Sequence, residues 1–508
     1  MKSKKYIYKL LFLFFLTSLL FKPLWIINNQ DLGMPADDLY HWLHASTLAL
    51  DLDIDYVKDY QITGATVNKK TNVPSAHPGA GYLASPFVFL FSIIDKFQGN
   101  EVQRINPTKS FSYIGFFASG LFYIITSFLL ITKIIEKNNY RLGKVFFYLA
   151  LLSSILHFTF TRFLMPHSAE FFLCTLIIYI LEVGDLKKRS FYTSLYFIYF
   201  LLLITRPSTF IYYSLLLLVF KNKFYFSKQF FLNSIITLST LIFAYVKLSN
   251  ILFDSNYILY NIYQSDGEEY IQTFNMSQLL SGVLKLPNLF FSPSMGIFWV
   301  SPIIFYAFLI LIKKFSFRNI TLEFINNLLF FFTSFIPLFI WQGREIAYGQ
   351  RLLIGLIPYC IVFISKNYKH IEKFTKVAYL NCFITYIGYL FFYSSEKLTL
   401  RKGISLWGTE LNYSAQNYYL ELVYSFSDLE TILSAFSRNI YFVDIFKFFN
   451  FEKISLFLNI ENLLTLERFN KFNAYANIYQ QIDILYLIIV NILIFLFSFL
   501  FSRILLAK

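Results

Sequence analysis

Charge is scarce in this chain. Only 15% of its 508 residues are Asp, Glu, Lys or Arg, where soluble domains carry about 25%. Acidic residues are the scarcer sign, 30 against 44 basic. Cysteine is scarcer still. Cys174, Cys360 and Cys382 each fall inside an apolar run, which offers no disulfide framework or thiolate metal site and suits small buried hydrophobes. The sequence also lacks an internal repeat and a low-complexity linker, so solenoid and beads-on-a-string architectures do not apply.

What the chain has instead is apolar blocks, among them 10–27, 111–135 and 484–501. Runs of about 18 or more apolar residues are long enough to cross a bilayer as helices. The pattern predicts an all-α, polytopic transmembrane helix bundle of about twelve spans. They lie near 6–28, 108–133, 144–162, 167–182, 190–205, 208–220, 229–250, 297–312, 324–341, 351–365, 376–394 and 483–502. The stretch 190–220 is read as a hairpin broken at Arg206-Pro207, because proline disfavours a continuous helix and a hairpin keeps the flanking lysines on one side. The first apolar run follows a Lys-rich start and lacks a small-residue cleavage site, so it is read as an uncleaved span rather than a signal peptide.

The net charge of +14 is a matter of orientation and calls for no nucleic-acid partner. Threaded from a cytoplasmic N-terminus, the inner connectors are 1–9, 133–144, 182–189, 221–228, 313–323, 366–376 and 503–508. They hold 23 basic and 5 acidic residues, against 5 basic and 9 acidic in the outer segment 29–104. That is the positive-inside bias of a membrane protein. Both termini are therefore expected in the cytoplasm. The chain divides into a transmembrane core at 1–394 that includes an outer loop at 29–107, an outer segment at 395–482, and a last span with its cytoplasmic tail at 483–508. Within the outer loop the run 81–94, bounded by Pro78 and Pro86, is expected to lie as an interfacial helix.

The polar residues gather just after the first span, in Ala36-Asp37-Asp38-Leu39-Tyr40-His41-Trp42-Leu43-His44. Helical spacing places Leu39, Trp42 and Leu43 on one face and Asp37, His41 and His44 on another. Paired acids there either satisfy the N-terminal amides and dipole of a helix or provide a general base. His41 and His44, with His77, also have the spacing of ligands for a divalent metal. Arginines at outer span ends, namely Arg162, Arg206, Arg344 and Arg351, are candidate phosphate ligands, since a guanidinium binds phosphate through a planar charged fork. His157 and His167 flank a break between spans and are read as structural.

The run from Ala36-Asp37-Asp38 through Leu48-Ala49-Leu50-Asp51-Leu52-Asp53-Ile54-Asp55-Tyr56, with Asp59-Tyr60, resembles the first outer loop of GT-C class membrane glycosyltransferases. These are relatives of the protein O-mannosyltransferases and the lipid A aminoarabinose transferases. His77-Pro78-Gly79 resembles the turn that leads their next helix. Phe290-Phe291-Ser292-Pro293 through Gly296 to Ser301-Pro302, and Trp341-Gln342-Gly343-Arg344 through Tyr348-Gly349-Gln350-Arg351, resemble two later motifs of the class. The likeness spans roughly the first 365 residues. The chain departs in having Asp-Asp where Asp-Glu is more usual, and less glycine near Trp341.

The resemblance implies an enzyme of the bacterial inner membrane that transfers a sugar from a polyprenyl-phosphate donor to a lipid, glycan or protein acceptor on the outer face. It implies Asp37 as catalytic aspartate of an inverting reaction, with Asp38 its neighbour. Arg351, Arg206, Arg344, His77 and Tyr40 complete the expected substrate-binding set. Two other readings stand beside it: an O-antigen-type polymerase or ligase, which would use the segment 395–482, and a transporter or flippase, which would bury ionisable residues within its spans.

Overall fold

The computed structural model describes residues 2–20, 36–57, 74, 76–100, 110–184, 189–219, 228–253, 280, 283–284, 286–291, 296–315, 321–340, 351–394 and 484–506. Arg344 and the segment 395–482 lie outside the described residues, and of Asp37 only the backbone is described. Every element is helical, and no strand occurs among the described residues. Among the described residues three helices are long and apolar enough to cross a membrane, Gly79–Phe97, Phe111–Lys137 and Ile484–Leu506.

The helices that position the site are α1 (Lys2–Leu20), α2 (Ala36–Ser46), α3 (Gly79–Phe97), α4 (Phe111–Lys137), α5 (Lys144–Ala150), α6 (His167–Val183), α7 (Arg189–Thr205) and α8 (Pro207–Ser214). Beyond them come α9 (Lys228–Phe253), α10 (Pro302–Lys314), α11 (Leu322–Ile340), α12 (Ile357–Lys366), α13 (Thr375–Ser394) and α14 (Ile484–Leu506). One apolar core joins α1, α4, α6, α10, α12 and α14, with Phe128, Phe171, Ile310 and Ile494 fully enclosed. The three cysteines are buried and free.

Several expected spans are interrupted. The helix that begins with α5 passes into two π-helical turns, Leu151–Ile155 and His157–Thr161, with Ser153 at a non-helical ψ of −158°. At Arg206 the backbone leaves the helix (φ −153°, ψ 86°) and Pro207 opens α8. The chain then folds back, so that the Tyr199 hydroxyl donates to the Tyr213 carbonyl at 2.8 Å. The span expected at 351–365 starts as a 3-10 helix, Arg351–Leu356, before α12.

The run 81–94, expected as an interfacial helix, packs along another helix of the bundle. It lies within the 19-residue α3, antiparallel to the first half of α4. The Tyr123 hydroxyl donates to Leu83 O at 2.6 Å, and Phe87 O would stand 2.6 Å from a Cβ on Gly115. Further along, Asp95 accepts from the amides of Phe111 (2.7 Å) and Ser112 (2.8 Å) at the start of α4. The physical reason is the small residues: Gly79, Ala80, Gly81, Ala84 and Ser85 form a slim buried face, while Pro86 lies on the exposed one, where its missing amide costs little packing.

Two ends of the bundle differ in chemistry. At one, Arg141 pairs with Glu372 at 3.4 Å and stacks over Tyr368. Lys313 donates to His370 O, Lys137 to Val183 O, and Arg503 lies over Tyr6. Among the described residues, basic side chains of the connectors 133–144, 313–323, 366–376 and 503–508 thus lie at a single end. The opposite end carries Asp38, His41, His77, Arg162 and Arg206.

Candidate functional site

The site is built where α2, α3, α6 and the α7–α8 turn converge. Glycine lets them approach. A Cβ at Gly81 would stand 2.5 Å from His44 Cβ and 2.8 Å from His41 O, and one at Gly79 only 2.3 Å from Thr205 Oγ1 and 2.7 Å from Thr205 N. The His77-Pro78-Gly79 turn is therefore pressed against the residue before Arg206, and α3 against the helix of the acidic pair. Ser168 lies beside Gly120, nine residues into α4, so the site sits about 14 Å along α4 from its start.

Asp38 is buried, 4% exposed. Arg162 grips it with both Nη2 and Nε, the latter at 3.1 Å. Arg162 comes from the break between the π turns and α6, where its backbone is non-helical (φ −114°, ψ 52°). A carboxylate gripped by two charge-assisted bonds orients its arginine and has less capacity to take a proton from a hydroxyl. Tyr40, on the same helix, is buried.

The three histidines expected as possible ligands divide by role. His44 Nε2 lies 2.9 Å from Ala76 O and Nδ1 lies 2.7 Å from the Tyr56 hydroxyl. A carbonyl only accepts, so Nε2 carries the proton and Nδ1 receives Tyr56. Both nitrogens are committed, and His44 ties α2 to the strap before α3 instead of holding a metal. Among the described residues no three His, Cys, Asp or Glu gather at metal-binding spacing. His41 is buried, and its Nδ1 has no hydrogen-bond partner among the described residues. Its basicity falls well below the usual imidazole range because it is buried, an effect reinforced by His44, Arg206, His77 and Arg162. Burial likewise brings His44 down to about 4. His77 keeps part of its surface accessible, yet enclosure first, then Arg206 and His44, push it down to about 3. All three are neutral at neutral pH.

Behind this layer is a network that sequence reasoning missed. Glu170, in the first turn of α6, is fully enclosed. Its Oε2 lies 3.0 Å from His167 Nδ1 and 3.9 Å from Arg206 Nε. Its Oε1 accepts from Thr209 Oγ1 of α8 at 2.5 Å, and the Gly355 backbone lies close to the same oxygen, 3.0 Å from where a Cβ would stand. His167, read from sequence as structural, lies within electrostatic reach of Arg206, Arg351, His41 and Arg162. The signal that points to Glu170 is simple: a carboxylate inside an apolar helix is a functional hypothesis by default.

The fold thus brings together Asp38, His41, His77, Arg206 and Arg351 of the expected set, and adds Arg162, His167 and Glu170. Asp37 starts α2 beside Asp38. Chemically the arrangement is a cluster of three guanidiniums with neutral imidazoles and two buried carboxylates, Asp38 on Arg162 and Glu170 near Arg206, and guanidiniums so gathered suit an anion of phosphate type. No family model matches the chain, and neither does any curated protein or solved structure with which it was compared.

Proposed function

We propose that this protein is a membrane glycosyltransferase that moves a sugar from a polyprenyl-phosphate-linked donor to an acceptor on the outer face, with inversion. The chain crosses the membrane about twelve times, with both termini in the cytoplasm and the cluster facing the outer side. Asp37 takes the proton of the acceptor hydroxyl, whose oxygen attacks the anomeric carbon as its bond to the lipid phosphate breaks. The products are the new glycoside and polyprenyl phosphate. Arg206 and Arg351 meet the charge that develops on the leaving phosphate, while Arg162 is held by Asp38 at the edge of the same cluster. His77 and Tyr40 flank it for the sugar or acceptor.

One observation carries the reading: acids from the loop after the first span and arginines from three distant parts of the chain converge at the bundle end opposite its basic rim. Outside the cytoplasm no nucleotide donor is at hand, so a lipid-linked one is required. The buried Glu170 also suits a transporter, which places ionisable groups between its helices.

The test is mass analysis of surface glycans and glycolipids from cells lacking the protein, complemented with the parent or with Asp37→Asn. A sugar increment lost on deletion, restored by the parent and not by the variant at equal protein level, is expected. Unchanged masses on deletion contradict the reading, and a fully active Asp37→Asn removes that residue from the base role.

A further inference from the structure

Arg206 and Arg351 stand 145 positions apart in the sequence, and something must hold them to one face. Glu170 touches both of their segments. Its carboxylate stands 3.9 Å from Arg206 Nε, takes the hydroxyl of Thr209 three residues further on, and packs against the backbone of Gly355 in the 3-10 helix Arg351–Leu356. Gly355 leaves no slack. A Cβ there would stand 2.6 Å from Thr209 Cγ2 and 3.0 Å from Glu170 Oε1. The Tyr213 hydroxyl fixes the same glycine from its other side, donating to Gly355 O at 2.6 Å.

We propose that Glu170 is a positioning residue that holds Arg206 and the segment beginning at Arg351 to a single face that binds the lipid phosphate. This rests on the donor assignment above. Glu170 is itself fully buried, so it acts through the arginines. Its Arg206 contact is an ion pair without a hydrogen bond, which aims the guanidinium while leaving its donors for the ligand. Glutamine at this position keeps the shape but presents an amide donor either to Arg206 or to the Thr209 hydroxyl beside Gly355, and so loosens one of the two segments. A displacement of about 1 Å in such a group weakens binding or turnover by up to about a hundredfold.

The experiment is equilibrium binding of polyprenyl phosphate to the purified full-length protein in detergent, for the parent, Glu170→Gln, Arg206→Ala and the double variant. Glu170→Gln is expected to bind about tenfold to a hundredfold more weakly, and the double variant to lose less than the two single losses together, because the share that acts through Arg206 is already gone and only the share through the Arg351 segment remains. If Glu170→Gln fails to fold, Thr209→Val removes one bond to the same carboxylate and should show a smaller loss with the same non-additivity. Parent-like binding by the Glu170 or Thr209 variant, or losses that simply add, overturns the positioning role and leaves the donor assignment standing. A parent that does not bind polyprenyl phosphate overturns both.

Discussion

Of the two adjacent acids at the start of α2, Asp38 has its partner in view. Asp38 is gripped by Arg162, so its charge orients a guanidinium, and it is Asp37 that we propose as the base. His44 shows the same logic for a residue whose spacing suggested a ligand: its two nitrogens are already used, one by a carbonyl and one by a phenol. Sequence spacing gives the face of a helix but not the partners that arrive from elsewhere in the chain. A pH dependence follows. His44 titrates near 6.5 when unfolded and at about 4 in the fold, so between those values the unfolded chain binds more protons. Its contribution is fully present above pH 6.5 and is lost as the pH falls toward 4, by at most about 3 kcal/mol. Thermal unfolding in detergent should move to lower temperature across that window, and less steeply in His44→Gln. An identical pH slope in the two proteins would remove His44 from the account.

At the scale of elements, α3 is where pattern reading reached its limit. Its prolines and the acids that follow it suggest an interfacial helix, and its glycines press it against α2, α4 and the end of α7. That outcome depends on contacts far apart in sequence, which hydropathy does not encode. The hairpin at Arg206-Pro207 was legible, because proline and charge placement act locally. Glu170 was not noticed, since one acid scarcely lowers the hydropathy of α6. The close approach of α3 yields a prediction. Gly81→Ala and Gly79→Ala force backbone apart and should each cost about 1–3 kcal/mol along with most activity. Gly120→Ala, whose Cβ would sit 3.4 Å from Ser168 Oγ in ordinary contact, should fold and work like the parent. Unfolding temperatures of the three variants decide it, and equal behaviour would deny α3 its part in forming the site.

At the scale of the whole molecule, the polar cluster and the basic rim stand at opposite ends of one apolar bundle, and the chemistry depends on which end faces the cytoplasm. A cluster facing the cytoplasm would have nucleotide sugars at hand, and the argument for a lipid-linked donor would fall with the active-site assignment. Two exposed residues mark the ends, Asp53 just beyond the helical continuation of α2 and Lys373 on the basic rim. The native cysteines are buried and leave little background. Single cysteines at these positions, treated with a membrane-impermeant thiol reagent, test the orientation directly. Asp53→Cys is expected to label in cells whose inner face is sealed, and Lys373→Cys only after that membrane is broken; the reverse pattern would contradict the account.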